Sequence, residues 1–261
     1  MQSTERNKIS AGSFDLNKWL YGGYDKDIIT TIYGPAGSGK TNLCLLAAVS
    51  QAKKGRKVIF IDTEGGFSVE RVRQIAGDSG SASSGDEIGK VLENIILLKP
   101  TNFEEQEQAF SSLLKEIKEK GSSISLIIVD GMTMLYRLKL AEAREQNQDS
   151  ATPMDNIQGI NSKLARQMRI LAEIARKREI PVIITNQVYS QFLTDEDFRA
   201  GKERRNLMVG GDILKYWSKC IIELKHENGK RVALLQKHRS LREKEIDFII
   251  TNEGIKKRGW I

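Results

Sequence analysis

The apolar residues of the chain fall into short runs separated by amphipathic stretches. The runs are rich in branched side chains and are bounded by Gly, Pro, Asp or Asn, which is typical of buried parallel strands. They are DIITTIYG (27–34), KVIFID (57–62), NIILLKP (94–100), SLIIVD (125–130) and PVIITN (181–186). Between the last two, apolar residues recur at steps of three and four, which predicts an amphipathic helix. This stripe consists of Ile157, Ile160, Leu164, Met168, Leu171 and Ala175.

This alternation of strands and helices predicts an α/β fold, with a mostly parallel twisted sheet and helices on both faces. After residue 210 the pattern changes to pairs of strands joined at Glu-Asn-Gly (227–229) and Asn-Glu-Gly (252–254), which predicts antiparallel hairpins at the carboxyl end. The serine- and glycine-rich segment 79–85 is expected to be a surface loop. Segments 146–156 and 189–211 follow the fourth and fifth strands, where loops tend to carry function.

Composition narrows the class of protein. Apolar residues make up 39% of the 261 residues, and there are only four prolines, which indicates one globular domain rather than a disordered chain. No apolar run is long enough to cross a bilayer. Cys44 and Cys220 are far apart in apolar runs, which favours structural thiols in a reducing compartment and hence a cytoplasmic location. The net charge of +7 suits a polyanionic partner.

The sequence GPAGSGKT (34–41) fits the phosphate-binding loop pattern G-x-x-x-x-G-K-[ST], and it follows a predicted strand and opens a helix. Its glycines allow backbone amides to turn toward phosphate oxygens, Lys40 adds a cation, and Thr41 offers a hydroxyl to Mg²⁺. The sequence therefore predicts a site for a nucleoside triphosphate with Mg²⁺. The residues expected to bind the nucleotide are Gly34, Pro35, Ala36, Gly37, Ser38, Gly39, Lys40, Thr41 and Asn42.

Two carboxylates follow predicted strands and complete the candidate chemistry. Asp130 ends SLIIVD, where it can join Thr41 as a metal ligand. Glu64, in FIDTEGGF (60–67), is placed to polarise a water in line with the γ-phosphate. A second interpretation of Glu64 is an acid that stabilises a helix start. On the residues alone, both interpretations of Glu64 remain open.

Five stretches taken together resemble the RecA-like recombinase core in order and spacing, over nearly the whole chain from Asn17 onward. They are GPAGSGKT, FIDTEGGFSVERV, LIIVDGMTMLYR, ARQMRILAEIARKREIPVIITNQV and GGDILKYWSK. The resemblance is greatest to the archaeal and eukaryotic branch, in a short form without the helical DNA-binding domain. It implies a short extension over 1–16 and a single RecA-like ATPase domain over 17–261. No Phe-x-x-Ala hook for subunit assembly is found in the extension, which puts filament assembly through that hook in doubt.

The resemblance also implies roles for individual residues. Lys40, Glu64 and Gln187 match catalytic positions, Gln187 being a sensor of the γ-phosphate that leads into a DNA-binding loop, with a buried polar cap on the strand as its alternative. Arg71 matches an arginine that stacks on adenine. Ser68 stands where relatives tend to have an arginine, which implies a different nucleotide affinity.

Cations after Gln187 are candidates for binding single-stranded DNA, with Phe192 and Phe198 as stacking partners. They are Arg199, Lys202, Arg204 and Arg205. A solvated loop is the alternative, because acidic residues are interspersed. Lys237 and Arg239 are expected to point the same way from a strand and to act in trans on a neighbour's γ-phosphate, as in KaiC-like relatives, with an exposed basic turn as the alternative.

The function implied is an ATP- and DNA-binding recombinase paralogue that assists homologous recombination and repair. Its expected partners are single-stranded DNA and the main archaeal recombinase RadA, its ATP hydrolysis is expected to be weak, and it is a possible homo-oligomer. A full strand-exchange recombinase and a KaiC-like signalling or scaffold ATPase without DNA function are the alternatives.

Overall fold

The computed structural model describes residues 7–77, 82–146, 153–190, 206–227 and 229–259. The strands are β1 (Lys8–Ile9), β2 (Tyr24–Asp25), β3 (Ile29–Tyr33), β4 (Lys57–Asp62), β5 (Ile95–Leu98), β6 (Ile124–Asp130), β7 (Val182–Asn186), β8 (Val188–Ser190), β9 (Asn206–Met208), β10 (Ser218–Glu227), β11 (Lys230–His238), β12 (Lys244–Thr251) and β13 (Gly254–Lys257). The helices are α1 (Phe14–Trp19), α2 (Lys40–Ala52), α3 (Val69–Ala76), α4 (Ala82–Glu93), α5 (Phe103–Lys120), α6 (Met134–Gln146), α7 (Pro153–Arg178) and α8 (Gly211–Trp217).

A mixed nine-stranded sheet forms the centre of the described structure. Its order is β13-β12-β11-β10-β3-β7-β6-β4-β5. The strands from β10 to β5 in this order run parallel, and β10 to β13 are antiparallel neighbours. The five predicted strands and both carboxyl-terminal hairpins are confirmed. Two further antiparallel pairs, β1–β2 and β8–β9, lie outside this sheet.

Helices cover both faces of the sheet, as predicted. One buried cluster joins α1, α2 and the carboxyl-terminal strands, and includes Leu16, Leu46 and Phe248. The other lies under α5, α6 and α7, where the predicted stripe supplies Leu164 and Met168. The parallel strands are buried on both faces, which explains their continuous apolar runs.

Two sequence-based expectations about loops and thiols have clear outcomes. The loop predicted over 79–85 is wrong from residue 82 onward, because α4 begins at Ala82. Ile88 and Val91 of α4 are buried, and Val91 packs in the core; this burial outweighs the weak helix propensity of serine and glycine. Cys44 and Cys220 are buried free thiols, and burial raises the pKa of both. No helix in the described ranges is both long and apolar enough to span a bilayer.

Candidate nucleotide-binding site

The predicted site residues converge on one edge of the sheet. The phosphate-binding loop follows β3, Glu64 follows β4, Asp130 ends β6, and Gln187 follows β7. These four strands are parallel neighbours in the order β3-β7-β6-β4, so their carboxyl ends meet. Open parallel sheets bind ligands at this edge.

Glycines let the phosphate-binding loop pass close to the carboxyl-terminal strands. A Cβ at Gly34 would lie 2.3 Å from the backbone oxygen of Leu224 in β10. Gly39 has φ of +108°, and a Cβ there would lie 3.1 Å from Cδ1 of Ile250. A side chain at Gly34 would therefore push the loop away from β10, and one at Gly39 would strain the backbone at its positive φ.

The ammonium of Lys40 lies inside the loop. It donates to the backbone oxygens of Gly34 and Pro35, each at 2.9 Å, and the residue is only 6% exposed. Burial lowers the pKa of Lys40, while the nearby carboxylates of Glu64 and Asp130 oppose that shift. A triphosphate would offer the ammonium charged acceptors in place of two neutral carbonyls.

Asp130 is held by two threonine hydroxyls. Thr41 donates to Oδ2 at 2.7 Å and Thr185 donates to Oδ1 at 2.6 Å, while the backbone N–H of Gly131 donates to the Thr185 hydroxyl at 2.7 Å. Burial raises the pKa of Asp130, and the two hydroxyl donors oppose the shift. The structure therefore brings the predicted metal ligands Thr41 and Asp130 into direct contact.

Glu64 and Gln187, two residues with separately predicted roles, contact each other in the structure. Nε2 of Gln187 donates to Oε2 of Glu64 at 3.0 Å. Oε1 of Glu64 is buried and has no hydrogen-bond partner among the described residues. A Cβ at Gly131 would lie 2.6 Å from Cγ of Glu64, so the missing side chain at Gly131 leaves room for this carboxylate.

The backbone around Glu64 is fixed by Asp62, which sequence reasoning missed. Its carboxylate accepts from the backbone N–H groups of Glu64, Gly66 and Phe67 at 3.3, 3.1 and 2.9 Å. Thr185 was also missed. Asp62 and Thr185 carry the same sequence signal as Asp130. Each is a polar side chain at or next to the end of an apolar strand.

Arg71 contacts the turn between β12 and β13. Its guanidinium donates to the backbone oxygens of Thr251 and Asn252 at 2.8 and 3.1 Å and to Oδ1 of Asn42 at 2.8 Å. Burial lowers the pKa of Arg71. Ser68 accepts from the backbone N–H of Arg71 and so caps α3. The predicted nucleotide residues Asn42 and Arg71 thus contact each other, and Arg71 also contacts a turn that the sequence did not connect with it.

Lys237 and Arg239, the residues expected to act in trans, lie away from the sheet edge where the other predicted site residues meet. His238 and Lys237 pair with Cys220 and Ile221 of β10, which lie beside the middle of β3 rather than beside its carboxyl end. The expectation that Lys237 and Arg239 share one strand is wrong, because β11 ends at His238.

The two cations also differ in their partners. Arg239 contacts Asp25 and Asp27 at 3.1 and 2.6 Å, and Lys237 donates to the backbone oxygen of Lys215 at 3.0 Å. They therefore occupy different environments within the chain. The predicted DNA-binding residues lie outside the described ranges, namely Phe192, Phe198, Arg199, Lys202, Arg204 and Arg205.

The residues at the sheet edge fit a triphosphate with Mg²⁺. The Ser38 hydroxyl is buried in the loop without a hydrogen-bond partner in the described structure, and Glu64 Oε1 is likewise unpaired. No group of three or more His, Cys, Asp and Glu residues in the described chain is arranged to hold a metal ion. A site with Thr41 and Asp130 as its protein groups instead leaves positions for phosphate and water, which is the coordination that Mg²⁺ favours.

The chain is similar to known proteins over almost its full length. The Rad51 family model matches residues 2–258. The DNA repair and recombination protein RadB of Methanobrevibacter smithii is 38% identical over 254 residues, covering 96% of each chain. The protein of the same name from Methanocaldococcus jannaschii is 39% identical over 240 residues, covering 92% of this chain and 98% of the relative.

A solved structure agrees with these sequence matches. A crystal structure of the RadB recombinase has a TM-score of 0.68 and 33% identity, and the match covers 95% of this chain and 98% of that one. The architecture is therefore that of a RecA-like core. Because the family model and these relatives match almost its full length, the chain belongs to the Rad51 family.

Proposed function

We propose that this chain is an ATP-binding and single-stranded-DNA-binding recombinase paralogue. It assists homologous recombination and DNA repair as an accessory to the main archaeal recombinase RadA, and it hydrolyses ATP weakly. The observation that carries this proposal is the meeting of Lys40, Thr41, Asp130, Glu64 and Gln187 at one edge of the parallel sheet. The names of the RadB relatives support the role in recombination and repair.

Each side chain of the candidate site has its own role in the proposed hydrolysis. Lys40 would exchange its two carbonyl partners for phosphate oxygens, and Asp130 and Thr41 would hold Mg²⁺, which would supply positive charge to the transferred phosphate. Glu64 takes a proton from the attacking water through Oε1, the oxygen that no described protein group occupies. Gln187 holds the other oxygen and so orients the base.

DNA binding is assigned to the segment between β8 and β9. Rad51-family recombinases generally bind single-stranded DNA and oligomerise. The segment follows β8, which begins directly after Gln187, and it carries the cations Arg199, Lys202, Arg204 and Arg205. Cations that neutralise phosphates, with aromatic faces nearby, suit an unpaired strand.

Co-purification tests the accessory role. Tagged protein is mixed with RadA, with and without Mg²⁺-ATP and single-stranded DNA, and the retained RadA is measured. We expect retention that increases with ATP and DNA. RadA that is never retained would contradict the accessory role, and filaments of this chain alone on DNA in electron micrographs would indicate a strand-exchange enzyme instead.

A further inference from the structure

The carboxylate of Asp62 is enclosed by the backbone of the residues that follow it. Asp62 ends β4, and the residue is only 2% exposed. Its Oδ1 accepts from the backbone N–H groups of Glu64 and Gly66, and its Oδ2 accepts from that of Phe67. Backbone N–H groups that converge in this way form a site for an anion, and here the anion is a side chain of the same segment. We call residues 63–67 the Glu64 turn.

The Glu64 turn has a fixed beginning and a fixed end. It begins at β4, and it ends at Ser68, which caps α3. Beside this end, the ring of Phe67 packs edge to face on Phe60, with 5.2 Å between the ring centroids. Between the two ends, Gly65 has φ of +72°, which lets the backbone curl around the Asp62 carboxylate. Asp62 therefore determines the path of the turn.

The same turn lies directly against the candidate metal ligands. The backbone N–H and the hydroxyl of Thr63 both donate to the backbone oxygen of Asp130, at 3.1 and 3.0 Å. The hydroxyl also lies 2.7 Å from the backbone oxygen of Gly131. A Cβ at Gly66 would lie 3.1 Å from Oγ1 of Thr41 and 3.5 Å from Oδ2 of Asp130. The turn therefore sets the distance between Glu64 and this pair.

The side chain of Glu64 is held at its far end as well. Gln187 donates to Oε2, and Oε1 is buried without a hydrogen-bond partner among the described residues. The carboxylate thus has one oxygen bound to β7's end and its backbone bound to Asp62. Removing the backbone restraint would leave only Gln187 to place Oε1.

We propose that Asp62 is a positioning residue for Glu64. Its carboxylate binds N–H groups on both sides of Gly65, and so fixes the backbone from which Glu64 extends beside Thr41 and Asp130. This inference rests on the part of the proposed function in which Glu64 takes a proton from water. Because the turn occupies both oxygens of Asp62, this residue affects turnover through Glu64.

Hydrogen–deuterium exchange without nucleotide tests the structural half of the inference. The variant is Asp62→Asn, which keeps the shape but turns an amide N–H toward a backbone N–H. We expect the peptide covering 63–68 to exchange about 10-fold faster than in the wild type, because charge-assisted bonds are lost. Asp15→Asn is the matched control, since Asp15 of α1 accepts from the backbone N–H of Lys257 at 2.7 Å. Unchanged exchange in Asp62→Asn, or equal acceleration in Asp15→Asn, would overturn the inference.

A double-mutant cycle tests the catalytic half. Hydrolysis of radiolabelled ATP is measured in the wild type, Asp62→Asn, Glu64→Gln, the double variant and Asp15→Asn. We expect Asp62→Asn to lower kcat by about 10- to 100-fold with KM unchanged, because small displacements of a reacting group are costly. The double variant should be no slower than Glu64→Gln, since a positioning residue has no effect once its base is removed. A double variant slower than Glu64→Gln by the full factor would contradict action through Glu64.

A second variant covers the case in which Asp62→Asn does not fold. Thr63→Val removes the hydroxyl that anchors the Glu64 turn to β6 and leaves Asp62 in place. We expect the same faster exchange at 63–68 and the same non-additivity with Glu64→Gln. Wild-type exchange and wild-type kcat in Thr63→Val would overturn the inference.

Failure of the proposed function gives different results. A wild type without ATP turnover overturns the proposed hydrolysis and this inference together. Wild-type turnover in Glu64→Gln overturns the role of Glu64 as the base, and the inference with it. Turnover that falls in Glu64→Gln but not in Asp62→Asn overturns the inference alone.

Discussion

The ammonium of Lys40 is buried among the carbonyls of its own loop, so nucleotide binding must replace these contacts. Lys40→Ala removes the cation that would face the phosphates. Since a hydrogen bond to a charged group contributes about 1.5–3 kcal/mol, we expect ATP to bind about 10- to 100-fold more weakly. Isothermal titration calorimetry measures this, with Lys54→Ala on the exposed surface as the control. Equal affinities in Lys40→Ala and Lys54→Ala would contradict the site assignment.

Glu64 accepts a hydrogen bond from Gln187, and this contact fits both a catalytic base and a structural acid. Glu64→Gln keeps the shape but accepts no proton, so we expect unchanged ATP affinity and ATP turnover lower by about 100-fold or more. Phosphate release measures turnover. The exposed Glu70 of α3, changed to Gln, is the control. Unaltered turnover in Glu64→Gln would make Glu64 a structural acid.

Asp130 predicts a dependence of stability on pH. Burial raises its pKa in the folded state, so the folded protein binds the proton more tightly than the unfolded chain does. Stability contributed by this group is therefore greatest at low pH and is lost as pH rises from the unfolded pKa, about 3.9, through the raised folded pKa. Asp130→Asn has no charge to bury.

We accordingly expect Asp130→Asn to have a higher Tm than the wild type at pH 7, and the difference to shrink toward pH 4. Mg²⁺ should no longer strengthen nucleotide binding in this variant. Thermal unfolding followed by circular dichroism at several pH values measures the effect. A lower Tm at pH 7 would show that the threonine hydrogen bonds outweigh burial of the charge.

At the scale of elements, Arg71 joins α3 to the turn between β12 and β13. Arg71→Ala removes these bonds, and we expect a loss of about 1–2 kcal/mol in urea unfolding. If Arg71 also stacks on the base, ATP affinity falls while affinity for inorganic tripolyphosphate does not. Arg73→Ala, on the exposed side of α3, is the control. Equal weakening of both ligands would indicate a purely structural arginine.

Elements and local motifs were predictable where the physical signal is local. Parallel strands such as β4 are buried on both faces and read as continuous apolar runs, and the phosphate-binding loop is marked by its own glycines. The start of α4 was not predictable, because the helix is stabilised by tertiary burial of Ile88 and Val91, which no local pattern encodes. The contact between Arg71 and Thr251 spans 180 positions, and no local pattern encodes it.

At the scale of the whole molecule, we expect the net charge of +7 and the cations between β8 and β9 to attract the same ligand, single-stranded DNA. For single strands, each phosphate contact contributes about 0.7 to the slope of log affinity against log salt. Arg204→Ala with Arg205→Ala should therefore reduce the slope by up to about 1.4 for any oligonucleotide sequence. Lys53→Ala with Lys54→Ala is the matched pair of exposed cations. An unchanged slope in the arginine pair would place DNA elsewhere.

The central claim is that one chain binds both ATP and single-stranded DNA and that bound ATP increases the affinity for DNA. Fluorescence anisotropy of a labelled oligonucleotide, with and without Mg²⁺-ATP, tests it most directly when the wild type and Lys40→Ala are compared. The account predicts tighter DNA binding with ATP in the wild type, and in Lys40→Ala a DNA affinity that ATP does not change. DNA binding that is absent from the wild type, or that responds to ATP equally in both proteins, would contradict it.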